Sequence, residues 1–111
     1  MVSIDIPEFT KQLKSEVTWQ TSNRNAITVF KTNGLRIVLI MLHEKAVMQE
    51  HVTNGIISVQ VLEGELNFSM DKESKILRIS TRIALHSGLF HSVKATKETV
   101  FLLTLTTSLK T

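Results

Sequence analysis

Gln49-Glu50-His51-Val52-Thr53-Asn54-Gly55-Ile56-Ile57-Ser58-Val59-Gln60-Val61-Leu62-Glu63-Gly64 is the stretch on which the fold turns. Its centre, Ile56 to Leu62, is rich in β-branched residues and is closed at each end by a turn signal, Asn54-Gly55 before it and Glu63-Gly64 after it. Directly beyond the second turn, Leu66, Phe68 and Met70 alternate with polar residues, the two-residue period of a strand with one face buried. Two strands joined by a tight glycine turn are therefore expected here, led in by a segment that ends on a histidine.

The same grammar extends outward in both directions. Ala26 to Phe30 is a β-rich run that leads to Asn33-Gly34, a strong short-range hairpin signal. Leu35 to Leu42 is apolar except for Arg36, as for a strand buried on both faces. Lys75 to Ile79, Ile83 to Leu85, Leu89 to Val93 and Val100 to Thr106 complete the set. Short strands separated by turns predict a sandwich or a barrel. The strongly apolar closing strand favours the barrel. One helix is expected near the start, where Asp5 caps, Glu8 stands at capping-box spacing and Pro7 sits in the first turn. Phe9 and Leu13 share its inner face, and it fades at Ser15 to Glu16. Trp19 then opens a short extended piece. The division is a helical segment over 1–16 packed on a barrel over 17–111.

A chain of 111 residues with 42% apolar and 21% charged content makes one domain with one core. It has no cysteine, which removes disulfides, thiolate metal sites and cysteine nucleophiles. The net charge of +3 comes from scattered lysines and arginines without a run or helical stripe, and there is no tyrosine. No nucleic-acid partner is expected. No apolar run approaches the roughly 18 residues of a membrane helix, so no membrane partner is expected either. Met1-Val2-Ser3-Ile4-Asp5 lacks the basic and apolar regions of a secretory signal, and the expected location is the cytoplasm.

A second histidine, His91, stands in His86-Ser87-Gly88-Leu89-Phe90-His91-Ser92-Val93. Together with the first stretch it resembles the two motifs of the small bacterial cupins. Leu35-Arg36-Ile37-Val38, Leu62-Glu63-Gly64, His91-Ser92-Val93-Lys94-Ala95 and Leu102-Leu103-Thr104 extend the resemblance over most of the chain. It implies an all-β, double-stranded β-helix, a jelly-roll-like barrel, with one short N-terminal helix. It also implies a metal or small molecule in the barrel mouth and a homodimer, to which Trp19 to Phe30 would lend an apolar contact unless Trp19 packs on its own barrel. Aligned on Gly64, His51 takes the family's first histidine place, Thr53 the second and Ile57 the acidic place. In the second motif His86 replaces a proline, while Gly88 and His91 match. Lys45 and Ser80 stand where the family has glycines ahead of each motif, which predicts changed turns there.

With His51 facing inward, strand parity places Gln49 and Thr53 on the same face. Ile57, Val59 and Val61 then line the next strand, and Leu89 and Val93 flank His91. The result is an apolar pocket with a few polar groups, the composition of a small-molecule site. A divalent ion (zinc, nickel, iron, manganese or copper) between His51 and His91 is the alternative. Two histidines fall short of the usual set, since catalytic zinc has three protein ligands and non-heme iron adds a carboxylate. Ile57 supplies no carboxylate, Thr53 is a poor ligand, and Gln49 offers only an uncharged oxygen. His43 and His86 are expected in surface or turn roles. Isolated glycines exclude a phosphate loop, and no nucleophile elbow is present.

Three functions remain open on these residues. The favoured one is a small-molecule-binding cupin barrel with His51 and His91 at the pocket mouth. The second is a metal-dependent cupin enzyme, dioxygenase- or isomerase-like. The third is an interaction module with a vestigial pocket.

Overall fold

The computed structural model describes residues 1–51, 55–70, 73–85 and 90–106, without the side chains of Glu50, His51, Leu85 and Phe90. Helix α1 (Ile6–Ser15) begins as its sequence requires: the Asp5 carboxylate accepts from the Glu8 backbone N–H at 3.0 Å, and proline occupies the first turn. A second short helix, α2 (Val17–Thr21), replaces the extended piece expected at Trp19. The chain reverses at Glu16, which is in an extended conformation, and one further helical turn brings Trp19 down onto the sheet beneath. Burial of that ring overrides the weak helical propensity of a Val-Thr-Trp segment.

Nine strands follow: β1 (Arg24–Lys31), β2 (Leu35–Leu42), β3 (Val47–His51), β4 (Ile56–Glu63), β5 (Glu65–Met70), β6 (Glu73–Arg78), β7 (Arg82–Leu85), β8 (Phe90–Ala95) and β9 (Thr99–Thr106). They form a five-stranded sheet in the order β1-β2-β9-β4-β7 and a four-stranded sheet in the order β3-β8-β5-β6, with every pairing antiparallel. Strands consecutive in sequence alternate between the sheets at β2–β3 and again at β4–β5. The all-β jelly-roll expectation holds.

The main core lies between the sheets. From the larger sheet it takes Val38, Ile40, Leu42, Ile57, Val59, Val61, Phe101 and Leu103, and from the smaller one Met48, Leu66, Phe68, Leu77, Val93 and Ala95. A second cluster covers the outer face of the larger sheet, where Leu13 and Trp19 from the helices meet Leu39, Met41 and Val100. This explains the continuous apolar run of β2: its alternate residues serve two different cores.

Asn25, 7% exposed, anchors the helices to the sheet. Its amide donates to the Leu13 carbonyl at 3.0 Å and to Glu16 Oε1 at 2.9 Å. The Leu13 carbonyl lies at the helix C-terminus, where it accepts both this side chain from β1 and the Glu16 backbone N–H at 3.3 Å.

Lys45 and Ser80, where changed turns were expected, both hold the left-handed backbone conformation that glycine favours. Lys45 has φ of 76° and Ser80 φ of 79°. Each is the third residue of a turn closed by a backbone bond, Ala46 N–H to His43 O at 3.0 Å and Thr81 N–H to Arg78 O at 2.9 Å. Positive φ at that place defines a type II turn, which favours glycine. Lys45 N–H also donates to the Ala95 carbonyl at 2.7 Å, tying the turn to the end of β8. Closure of the two sheets sets the backbone, and two side chains are carried in a conformation that costs about 1–2 kcal/mol each.

Candidate functional site

Register places the chemistry. In the smaller sheet, rows of residues on the inner face run across four strands, because directly paired residues of antiparallel strands share a face. One row runs Met48, Val93, Phe68 and Lys75; the next runs, in backbone register, Glu50, His91, Met70 and Glu73. His91 is therefore an inward residue of β8, only 2% exposed, flanked along its strand by buried Val93. Its ring stacks on that of Phe68, with centroids 5.2 Å apart and planes 18° from parallel. The imidazole is thus a buried polar side chain set against Phe68 and in register with Met70.

The way in lies at the sheet edges. β6 ends the smaller sheet and β7 the larger one, and between them is a cavity of about 230 Å³. Phe68, Met70 and Ile83 form its apolar depth, and Glu73 and Lys75 stand at its rim. Inward-facing charges on an edge strand also discourage pairing with another chain. Passing from the rim along the two rows, one meets Lys75 then Phe68 and Val93, or Glu73 then Met70 and His91. The imidazole thus stands one strand behind the opening.

The opposite wall is as expected: Ile57, Val59 and Val61 are 2%, 1% and 1% exposed on the inner face of β4. Gln49 departs from the expectation. It is exposed, and Met48, 6% exposed, takes the inward position on β3. The physical reason is the pairing with β8, which sets Met48 across from Val93 and Gln49 across from Ser92. The same ladder pairs His51 with Phe90 and Glu50 with His91 along the backbone. The side chain of His51 lies outside the described residues, as do Thr53, His86 and Leu89. Among the described residues, no three His, Asp or Glu side chains come together as a metal-binding group. Ile57 is enclosed by the core and brings no donor, so the described side chains do not by themselves supply a ligand set.

His43 does more than the surface role expected of it. Its ring lies flat on Trp19, with centroids 3.5 Å apart and planes 14° from parallel. Nε2 lies 2.8 Å from the Trp19 carbonyl, so that nitrogen carries the proton and donates; Nδ1 is 3.5 Å from Glu98. The contact holds α2 to the end of β2. Trp19 itself is 7% exposed and packs within its own chain.

Two carboxylates are held below the ordinary range. Glu65 accepts from Thr96 Oγ1 at 2.8 Å and from Arg78 Nε at 2.7 Å, and these two bonds, in that order, lower its pKa. Glu16 accepts from Asn25 and then Gln12, with the same effect. Both lie far from His91 in the topology and serve structure.

No helix among the described residues is long and apolar enough to cross a membrane. No protein-family model matches the sequence. No curated protein matches it either. Solved structures do resemble it. A cupin superfamily protein of Desulfitobacterium hafniense superposes with a TM-score of 0.72 at 13% identity, covering 77% of this chain and 78% of that one. A conserved protein of unknown function from Streptococcus pyogenes aligns over 99% of this chain and 98% of its own, with a TM-score of 0.74 and 20% identity. Salicylate 1,2-dioxygenase of Pseudoaminobacter salicylatoxidans reaches a TM-score of 0.78 at 17% identity over 89% of this chain, which spans only 31% of that enzyme. The chain has the cupin fold.

Proposed function

We propose that this cupin barrel binds a small, mostly apolar molecule between its two sheets, entering between β6 and β7, with His91 as the polar handle. The observation that carries the reading is the position of His91: 2% exposed, stacked on Phe68, and one strand behind an opening floored by Phe68 and Met70. A polar side chain set among apolar neighbours is the kind of group that orients a ligand whose remaining surface is apolar.

The fold is also that of a dioxygenase, which keeps a metal-dependent enzyme as the second reading, with an ion held at His91. Elemental analysis of purified protein, with zinc, nickel, copper, manganese and iron titrated into metal-stripped samples, separates the two. Binding without metal predicts background metal content and no change on titration. Near-stoichiometric metal, lost in His91→Ala, overturns the first reading in favour of the second.

A further inference from the structure

On the outer face of the larger sheet, remote from the space between the sheets, α1 overhangs the ends of β4 and β9 and leaves a groove of about 470 Å³. Its surface is apolar where Ile6, Pro7, Leu62 and Val100 meet. Lys11 and Lys14 line it further along the helix, three residues apart and so on one face. Both lysines are exposed, and neither makes an ion pair among the described residues. Glu63, on the sheet side, is the one acidic side chain in the lining, so the cations outnumber it.

The charge is also ordered along the helix. Asp5 and Glu8 lie at the start of α1, and Lys11 and Lys14 in its second half. The Glu8 N–H is already taken by Asp5, and Pro7 has no N–H, so the first turn offers an anion little. From Ile6 to the midpoint between Lys11 and Lys14 the helix rises about 10 Å, close to the length of an extended eight-carbon chain, about 9 Å.

We infer that this groove is a second binding site, for an aliphatic monocarboxylate, with the tail along Ile6, Pro7, Leu62 and Val100 and the carboxylate between Lys11 and Lys14. Apolar contact supplies most of the affinity, and the lysines set orientation and the preference for a negative headgroup. At an exposed site each ammonium is worth up to roughly five-fold in affinity, and salt weakens it.

The test is titration of the full chain with octanoate, followed by backbone amide NMR. Octanol and octylammonium serve as headgroup controls. The expected result is saturable shifts at Ile6, Thr10, Lys11, Leu62 and Val100, with inner-face Val59 and Val93 unmoved. Octanoate should bind several-fold more tightly than octanol, and octylammonium most weakly. Lys11→Gln with Lys14→Gln should bring octanoate down to the octanol affinity while leaving thermal unfolding unchanged. Equal affinity for the three headgroups, shifts at the inner strands instead, or no saturation would each overturn the inference. A dilution series without ligand decides against a second copy of the chain: concentration-dependent shifts at the same amides would mean that self-association fills the groove, and the inference would fall.

Discussion

His91 and Phe68 lie ring over ring across the β8–β5 pair, with centroids 5.2 Å apart. Phe68 is paired with Val93, the residue two places along β8, so the stack is diagonal. Such an arrangement fixes the imidazole by aromatic contact on one side. Aromatic stacking of this kind is worth about 0.5–1.5 kcal/mol beyond the area it buries.

Ring shape and ring chemistry can therefore be separated. His91→Phe keeps volume and stacking, and its stability in urea unfolding should change by less than about 1.5 kcal/mol. His91→Ala opens a void beside Phe68 and should cost about 3 kcal/mol. A large loss in His91→Phe would mean that the nitrogens hold the fold together and do not serve a ligand.

The two type II turns carry side chains at positive φ. Lys45→Gly and Ser80→Gly should each raise stability by about 0.5–1 kcal/mol, while Lys45→Ala should not, because alanine keeps the Cβ that causes the strain. Denaturant midpoints of the three variants decide it.

Gly64 is the reverse case. It has φ of 87°, and a Cβ there would overlap the Glu98 carbonyl and lie 2.8 Å from Thr99 Cα. Gly64→Ala should destabilise by about 3 kcal/mol, the sum of left-handed strain and overpacking. Thermal unfolding of the variant against wild type measures it.

Asn25 is the link between helices and sheet. Asn25→Ala removes the side-chain amide's hydrogen bond to the Leu13 carbonyl, which keeps only the 3.3 Å bond from the Glu16 N–H, and should cost about 1 kcal/mol. Trp19 is the only tryptophan, so a red shift of its emission in this variant would report the undocking of α1 and α2. An unchanged spectrum at reduced stability would place the loss elsewhere.

Acid should weaken the fold through Glu16 and Glu65. Their folded pKa values lie below the ordinary 4.5, so the stability they contribute is complete above that value. It is lost as pH falls through the lowered folded values. Glu65→Gln, which removes the titration but keeps an acceptor, should flatten this acid limb in stability measured from pH 6 to pH 3.

The strands and the capped first helix were legible because period and capping are local: alternation at Leu66, Phe68 and Met70, and Asp5 three residues before Glu8. So was the wall of Ile57, Val59 and Val61. The phase of β3 was not. Glu50, His51 and Gln49 are all polar, alternation there carries no sign, and only pairing with β8 puts Met48 inward and Gln49 outward. Nor was the geometry at Lys45 and Ser80, where residue type argued against a turn that the backbone hydrogen bonds enforce. Trp19 was misread as extended because five residues hold too little periodicity to oppose the pull of the sheet below.

The most direct test of the account is a fragment screen by thermal shift on wild type and His91→Phe in parallel. The account predicts small apolar fragments with one hydrogen-bonding group that raise the wild-type Tm and leave His91→Phe unchanged, in metal-free buffer. Fragments that stabilise both proteins equally would contradict the role given to His91.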